Sequence, residues 1–77
     1  MTRFKIEMFT FKNGNEDDEI VSRTYKKEFK SAKKAIEYGK RYAKGVKFYA
    51  FEVFETHNLD VVYRLNYEGL EEYPMLG

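Results

Sequence analysis

The clearest helical period in this chain lies in SAKKAIEYGKRYAK, residues 31–44. Ser31 fits the N-cap position, and Gly45 fits the left-handed position at which a helix ends. Small and apolar residues recur at helical spacing along one side of the helical wheel: Ala32, Ala35, Ile36, Gly39, Tyr42 and Ala43. Because the side chains of alanine and glycine are small, they allow a helix to approach the element on which it packs, and we expect this helix to lie close upon a sheet.

The opposite side of the same helix is basic. The window from Lys26 to Lys47 holds nine Lys and Arg residues against Glu28 and Glu37, whereas the whole chain has a formal net charge of only +1. Such separation of charge gives a folded surface basic and acidic sides, which steer partners. Six cations occupy an arc of about 120° that only Glu37 interrupts, and we name them the basic helix surface: Lys30, Lys33, Lys34, Lys40, Arg41 and Lys44. We predict that this surface binds a partner.

Two strands are predicted before the helix. Residues 3–8 alternate charged and apolar side chains, which is the period of a half-buried strand. A hairpin loop over residues 12–19 follows, with turn-forming residues at 13–15 and an acidic run at 16–19, before a second strand over residues 20–26. The acidic run lacks the ligand spacing of an EF-hand loop, so we interpret it as solvated, with mimicry of phosphate toward a basic partner as the alternative.

Two further strands are predicted after the helix. Residues 47–55 are apolar on both faces, which is typical of a central strand, and a turn at residues 56–58 leads to an alternating fourth strand over residues 59–66. Residues 67–77 contain the only proline and predict a short helical turn and a loosely packed tail. The pattern predicts one α+β domain over residues 1–77, a two-layer ββαββ arrangement in which one amphipathic helix covers one face of a four-stranded, mainly antiparallel sheet.

The sheet face opposite the helix has no cover in this arrangement. We predict that it displays aromatic residues, with Val62 beside them: Phe9, Phe11, Phe48 and Phe54. Contiguous aromatic patches on small proteins usually mark interfaces. A chain of 77 residues without cysteine also has no disulfide to support a small core. We therefore expect a homodimer that packs through this face or through an edge strand.

Catalytic and cofactor motifs are missing from the sequence. His57, the only histidine, falls in a predicted turn, and the five glycines form no phosphate-binding loop. We therefore predict that the protein is not an enzyme and uses no metal or cofactor. No stretch resembles a targeting signal or reaches the roughly 18 apolar residues of a membrane span, so we expect a cytoplasmic location and no membrane partner.

In length, absence of cysteine, charge separation and ββαββ order, the chain resembles the small accessory proteins of phages and mobile elements, including anti-CRISPR and other anti-defence inhibitors. The resemblance is to a class, and it implies a stoichiometric inhibitor that blocks a host defence complex through protein–protein contacts. Two alternatives stay open. The basic helix surface would suit nucleic acid, and Tyr38, an aromatic residue beside lysines, would suit a protein that sequesters a nucleotide.

Overall fold

The computed structural model describes residues 2–14, 17–44, 48–67 and 71–74. These residues form one helix and five strands in the order β1 (Phe4–Phe11), β2 (Ile20–Thr24), α1 (Ala32–Ala43), β3 (Ala50–Glu55), β4 (Val61–Asn66) and β5 (Glu71–Pro74). A short 3-10 turn, Lys12–Gly14, follows β1. The proposed helix end at Gly45, the cation Lys47 and the first residue of the acidic run, Glu16, lie outside the described residues.

The strands form one open antiparallel sheet in the order β2-β1-β3-β4-β5, and α1 packs against one face of it, over β1, β3 and β4. The predicted α+β class is confirmed, but the predicted four strands are wrong, because the described chain has five in the order ββαβββ. The additional strand is β5, which pairs with β4 where the sequence predicted a helical turn and a loose tail. Its four residues include two glutamates and a proline, so they show no alternation of apolar side chains that would predict a strand. Charged residues and proline are nevertheless typical of edge strands.

The core lies between α1 and the three middle strands. Cross-strand rows of side chains point toward the helix, with Ile6 opposite Val53 and Met8 opposite Phe51. The buried residues of the helix are all small, namely Ala35, Gly39 and Ala43, and the partly buried Ile36 and Tyr38 also pack against the core. A Cβ atom at Gly39 would lie 2.7 Å from Cε1 of Phe51, so the predicted close approach of helix and sheet is confirmed.

A β-bulge changes which face Val62 occupies. Val53 pairs with Tyr63 but its neighbour Phe54 pairs with Val61, so Val62 is an extra residue in β4. The simple alternation predicted Val62 on the uncovered face, opposite in direction to Tyr63. That prediction is wrong, because both side chains belong to the core and Val62 is only 7% exposed.

Phe48 also lies in the core rather than on the uncovered face. Its side chain is 2% exposed, and its ring packs 6.1 Å from that of Phe51 and 5.0 Å from that of Tyr67, measured between ring centroids. The predicted strand began at Lys47, whereas β3 begins at Ala50. Because Phe48 precedes the strand, the alternation of strand side chains does not apply to it, and its predicted position on the uncovered face is wrong.

Candidate binding surfaces

The basic helix surface is formed by α1 and the residues that flank it. Ser31 caps the helix, because its Oγ accepts a hydrogen bond of 3.1 Å from the backbone N–H of Lys34. All six cations of the surface are exposed. The structure therefore exposes all six cations that the helical wheel grouped, on α1 and at its two ends.

Lys40 differs from the other five cations because it binds within the chain. Its Nζ lies 2.6 Å from Oε1 of Glu72 on β5 and 5.8 Å from the ring centroid of Tyr63. The hydrogen bond to Glu72 raises the pKa of Lys40 above its ordinary value. The same bond lowers the pKa of Glu72 below its ordinary 4.5, while burial raises the pKa of Tyr63. Lys40 thus connects the helix to the edge strand β5.

The remaining cations of the surface have no such connection to another described residue. Within the part of the chain that the structure describes, no ion pair involves Lys30, Lys33, Lys34, Arg41 or Lys44. Their positive charge is therefore not neutralised by these contacts and faces solvent.

A groove extends this surface beyond the N-terminus of α1. It has a volume of about 540 Å³, and cations, two glutamates and two aromatic rings line it: Lys27, Glu28, Phe29, Lys30, Ser31, Lys34, Glu37, Tyr38 and Arg41. Two backbone hydrogen bonds between Phe29 and Phe4, of 2.8 and 2.9 Å, hold this segment beside β1. Sequence analysis did not place Lys27 on the surface, because it precedes the helix and has no position on the helical wheel.

The ammonium group of Lys27 lies over the ring of Tyr38. Its Nζ lies 4.8 Å from the centroid of Tyr38 and 5.4 Å from that of Phe29, and the two ring centroids are 5.2 Å apart. A base that stacked on Tyr38 would have to displace this cation from the ring face. The geometry gives no support to nucleotide binding at Tyr38.

The uncovered sheet face is centred on an ion pair rather than on an aromatic patch. Nη1 of Arg64 donates to Oε2 of Glu52 at 2.6 Å, and Nε donates to Oδ1 of Asn66 at 2.8 Å. The guanidinium carbon lies 5.6 Å from the ring centroid of Phe9. Both charged side chains are mostly buried, at 25% and 20% exposed. Sequence analysis missed this cluster, although the register of the β3–β4 hairpin, which sets Glu52 opposite Arg64, could have revealed it.

Three of the four residues predicted for self-association lie on this face. Phe9, Phe11 and Phe54 are half-buried, and the ring of Phe11 meets that of Tyr49 edge-on at 5.9 Å. The guanidinium group of Arg64 lies beside Phe9 on this face. The face is therefore mixed in polarity, and the prediction that it mediates a homodimer stays a prediction.

His57 lies in the turn that its sequence context predicted. Glu55 organises this turn, because its two carboxylate oxygens accept hydrogen bonds of 3.0 Å from the backbone N–H groups of His57 and Asn58. Leu59 adopts a positive φ of 61° as the chain enters β4. Among the described residues, no group of three His, Asp or Glu side chains could hold a metal ion.

The fold and its surfaces define a small α+β protein with one covered and one uncovered sheet face. Comparisons of the chain with protein-family models, with curated proteins and with solved structures found no match. No helix in the described part of the chain is long and apolar enough to cross a membrane.

Proposed function

We propose that this protein is a non-enzymatic binding protein that uses the basic helix surface to dock on an acidic surface of a partner protein. In this proposal it acts as a stoichiometric inhibitor or accessory protein of the phage anti-defence type, and a host defence complex is the partner. The observation that supports the proposal is the set of five exposed cations of the basic helix surface that have no ion pair among the described residues. Charge complementarity of this kind speeds association and selects the partner.

The chemistry of the surface favours a protein partner over nucleic acid. Arg41 is the single arginine among its six cations, and arginine is the residue suited to bidentate contacts with phosphate or guanine. Glu28 and Glu37 line the adjoining groove and would repel a phosphate backbone. A protein surface that alternates acidic and basic side chains can match both signs of charge.

A pair of charge-matched variants tests this proposal. Lys33→Glu with Lys34→Glu reverses charge on the basic helix surface, while Arg3→Glu with Lys5→Glu changes the net charge equally at the start of β1, where neither side chain has an ion pair among the described residues. We expect tagged wild-type protein and the second variant to capture the same defence complex from phage-sensitive bacteria at equal stoichiometry, and the helix variant to lose it. A wild-type protein that protects no phage in a plaque assay and captures no complex would overturn the proposal.

Nucleic-acid binding is the second candidate, and the cationic groove favours it. Lys27, Lys30, Lys34 and Arg41 converge around the two aromatic rings of this groove, and phosphate neutralisation by such cations gives affinity independent of sequence. Fluorescence anisotropy with labelled duplex DNA and single-stranded RNA at low salt tests it. Binding that weakens steeply with salt and is lost in the Lys33→Glu, Lys34→Glu variant would replace the first candidate, and the absence of binding to both probes would remove the second.

A further inference from the structure

The two edges of the sheet differ in how they are protected against pairing with another strand. The β5 edge carries Glu71, Glu72 and a proline, which are typical devices that prevent edge pairing. The β2 edge, IVSRT, has one charged residue, and all five of its residues are exposed. Ile20 and Val21 are 43% and 41% exposed although both are β-branched and apolar. Since α1 packs over β1, β3 and β4, β2 also extends beyond the cover of the helix.

The backbone of β2 offers a defined set of outward hydrogen-bonding groups. On the inner side, Lys12 N–H donates to the carbonyl of Glu19 and Tyr25 N–H donates to the carbonyl of Ile6, each at 2.9 Å. Odd-numbered residues of β2 therefore direct their N–H and C=O groups toward β1. Because these directions alternate along an antiparallel strand, Ile20, Ser22 and Thr24 direct theirs to the free edge.

The charges at the two ends of β2 are of opposite sign. Asp18 precedes the strand, next to Glu19, whose carboxylate is paired with Lys12 at 3.1 Å, and Lys26 and Lys27 follow the strand. A strand with this distribution complements an antiparallel copy of itself, because the acidic end of each copy then lies beside the basic end of the other. The edge thus combines exposed apolar side chains, backbone groups that have no partner among the described residues, and self-complementary charge.

We propose that a second copy of this chain pairs antiparallel with β2 about a twofold axis at Ser22. Ser22 then lies opposite its own copy, Ile20 opposite the Thr24 of the second copy, and Asp18 opposite its Lys26. The three outward residues of each strand form about six intermolecular backbone hydrogen bonds. The two five-stranded sheets become one continuous sheet.

Neighbouring registers are less favourable. A shift by one residue would place outward groups opposite inward groups and break the ladder. The twofold axis at Arg23 would place that arginine opposite its copy, and like charges directly opposite each other destabilise a strand pair. The axis at Val21 would pair Thr24 with Asp18, which lies outside the strand. Only the axis at Ser22 keeps every outward residue of β2 paired within the ladder.

The dimer is independent of the proposed function, because β2 shares no residue with the basic helix surface. A twofold axis perpendicular to the sheet keeps both helices on the same side. Partner binding through α1 and self-association through β2 can therefore succeed or fail separately.

Sedimentation equilibrium of the full chain, from micromolar to millimolar concentration, tests the dimer. Asp18→Lys and Lys26→Asp should each weaken dimerisation about tenfold, because each reversal places like charges at both symmetric contacts. The double variant exchanges the two charges and should restore the wild-type dissociation constant. A monomer across the whole range overturns the proposal, as does a dimer whose dissociation constant none of these charge reversals changes.

A backbone variant tests the ladder without using charge. Ser22→Pro removes an outward N–H that the β1–β2 pairing does not use, and proline is accepted on the free side of an edge strand. We expect the folded variant to be monomeric and Ser22→Ala to dimerise like the wild type. A folded Ser22→Pro variant that still dimerises overturns the proposal. If circular dichroism shows that this variant is unfolded, the double variant Asp18→Lys, Lys26→Asp provides the test instead. The proposal then stands if the double variant restores the wild-type dissociation constant and fails if it does not.

Discussion

Replacement of Gly39 by alanine tests how closely α1 lies upon the sheet. A Cβ at this position would lie 2.7 Å from Cε1, 2.9 Å from Cζ and 3.2 Å from Cδ1 of Phe51. Favourable contacts between carbon atoms require about 3.5–4.0 Å. The ring or the helix must therefore move by about 1 Å to accept a single methyl group.

Phe51 has little room for such a movement. Its side chain is 0% exposed, and the rings of Phe48 and Tyr63 pack against it with centroid distances of 6.1 and 5.8 Å. Forcing an additional methyl into a packed core costs about 1–3 kcal/mol, whereas the higher helix propensity of alanine contributes about 1 kcal/mol in its favour. The difference between these effects is a loss of about 0–2 kcal/mol. Because Phe51 is fully enclosed, we expect Gly39→Ala to fall in the upper half of this range and to lower the free energy of unfolding by about 1–2 kcal/mol.

Urea unfolding followed by circular dichroism measures this change, and thermal unfolding should show a midpoint lower by about 5–15 °C. Phe51→Leu provides the matched control, because a smaller side chain opens space for the new methyl. In a double-mutant cycle, Gly39→Ala should cost clearly less in the Phe51→Leu background than in the wild type. A stabilised Gly39→Ala variant, or two substitutions whose effects simply add, would refute the close approach.

Three further substitutions test individual contacts. Ser31→Ala removes the N-cap and should lower the free energy of unfolding by about 1 kcal/mol, measured by urea unfolding. Glu52→Gln leaves Arg64 without its carboxylate partner on the uncovered sheet face and should cost about 1–2 kcal/mol in the same assay, with salt reducing the loss. Glu72→Gln should lower the thermal midpoint at neutral pH. Because the pKa of Glu72 is lowered in the folded state, its contribution is present above pH 4.5 and is lost as the pH falls through the folded pKa, so variant and wild type should converge in acid. The pKa of Lys40 is raised, so that contribution is lost only as the pH rises through its folded pKa.

Local patterns in the sequence were sufficient for the helix and its cap. The period from Ala32 to Ala43 and the hydroxyl of Ser31 act within a few residues, so the boundaries of α1 agree closely with the prediction. The alternation in β1 likewise placed Ile6 and Met8 on the covered face. These features follow from the geometry of a single element and need no knowledge of the fold.

The parts that the sequence did not reveal depend on pairing between elements. The strand β5 carries no apolar alternation of its own, and the pairing of its backbone with β4 makes it a strand. Val62 lies in the core because the β-bulge gives β4 one residue more than β3 at that point. Within the described part of the chain, Lys40 is paired, unlike the other cations of the basic helix surface, because the position of β5 places Glu72 beside it. Each of these outcomes is set by a register that local periodicity does not encode.

The charge pattern in the sequence treated the six cations of the basic helix surface alike, because it contains no information on the pairing between elements. The helix cations fall into two groups, since Lys40 is held by Glu72 while Lys33 and Lys34 are exposed and unpaired among the described residues. If partner binding depends on free positive charge, Lys33→Gln should reduce it more than Lys40→Gln, even though both residues belong to one helix surface. Equal losses of partner binding in these two variants would show instead that the partner displaces Glu72 and contacts the whole surface.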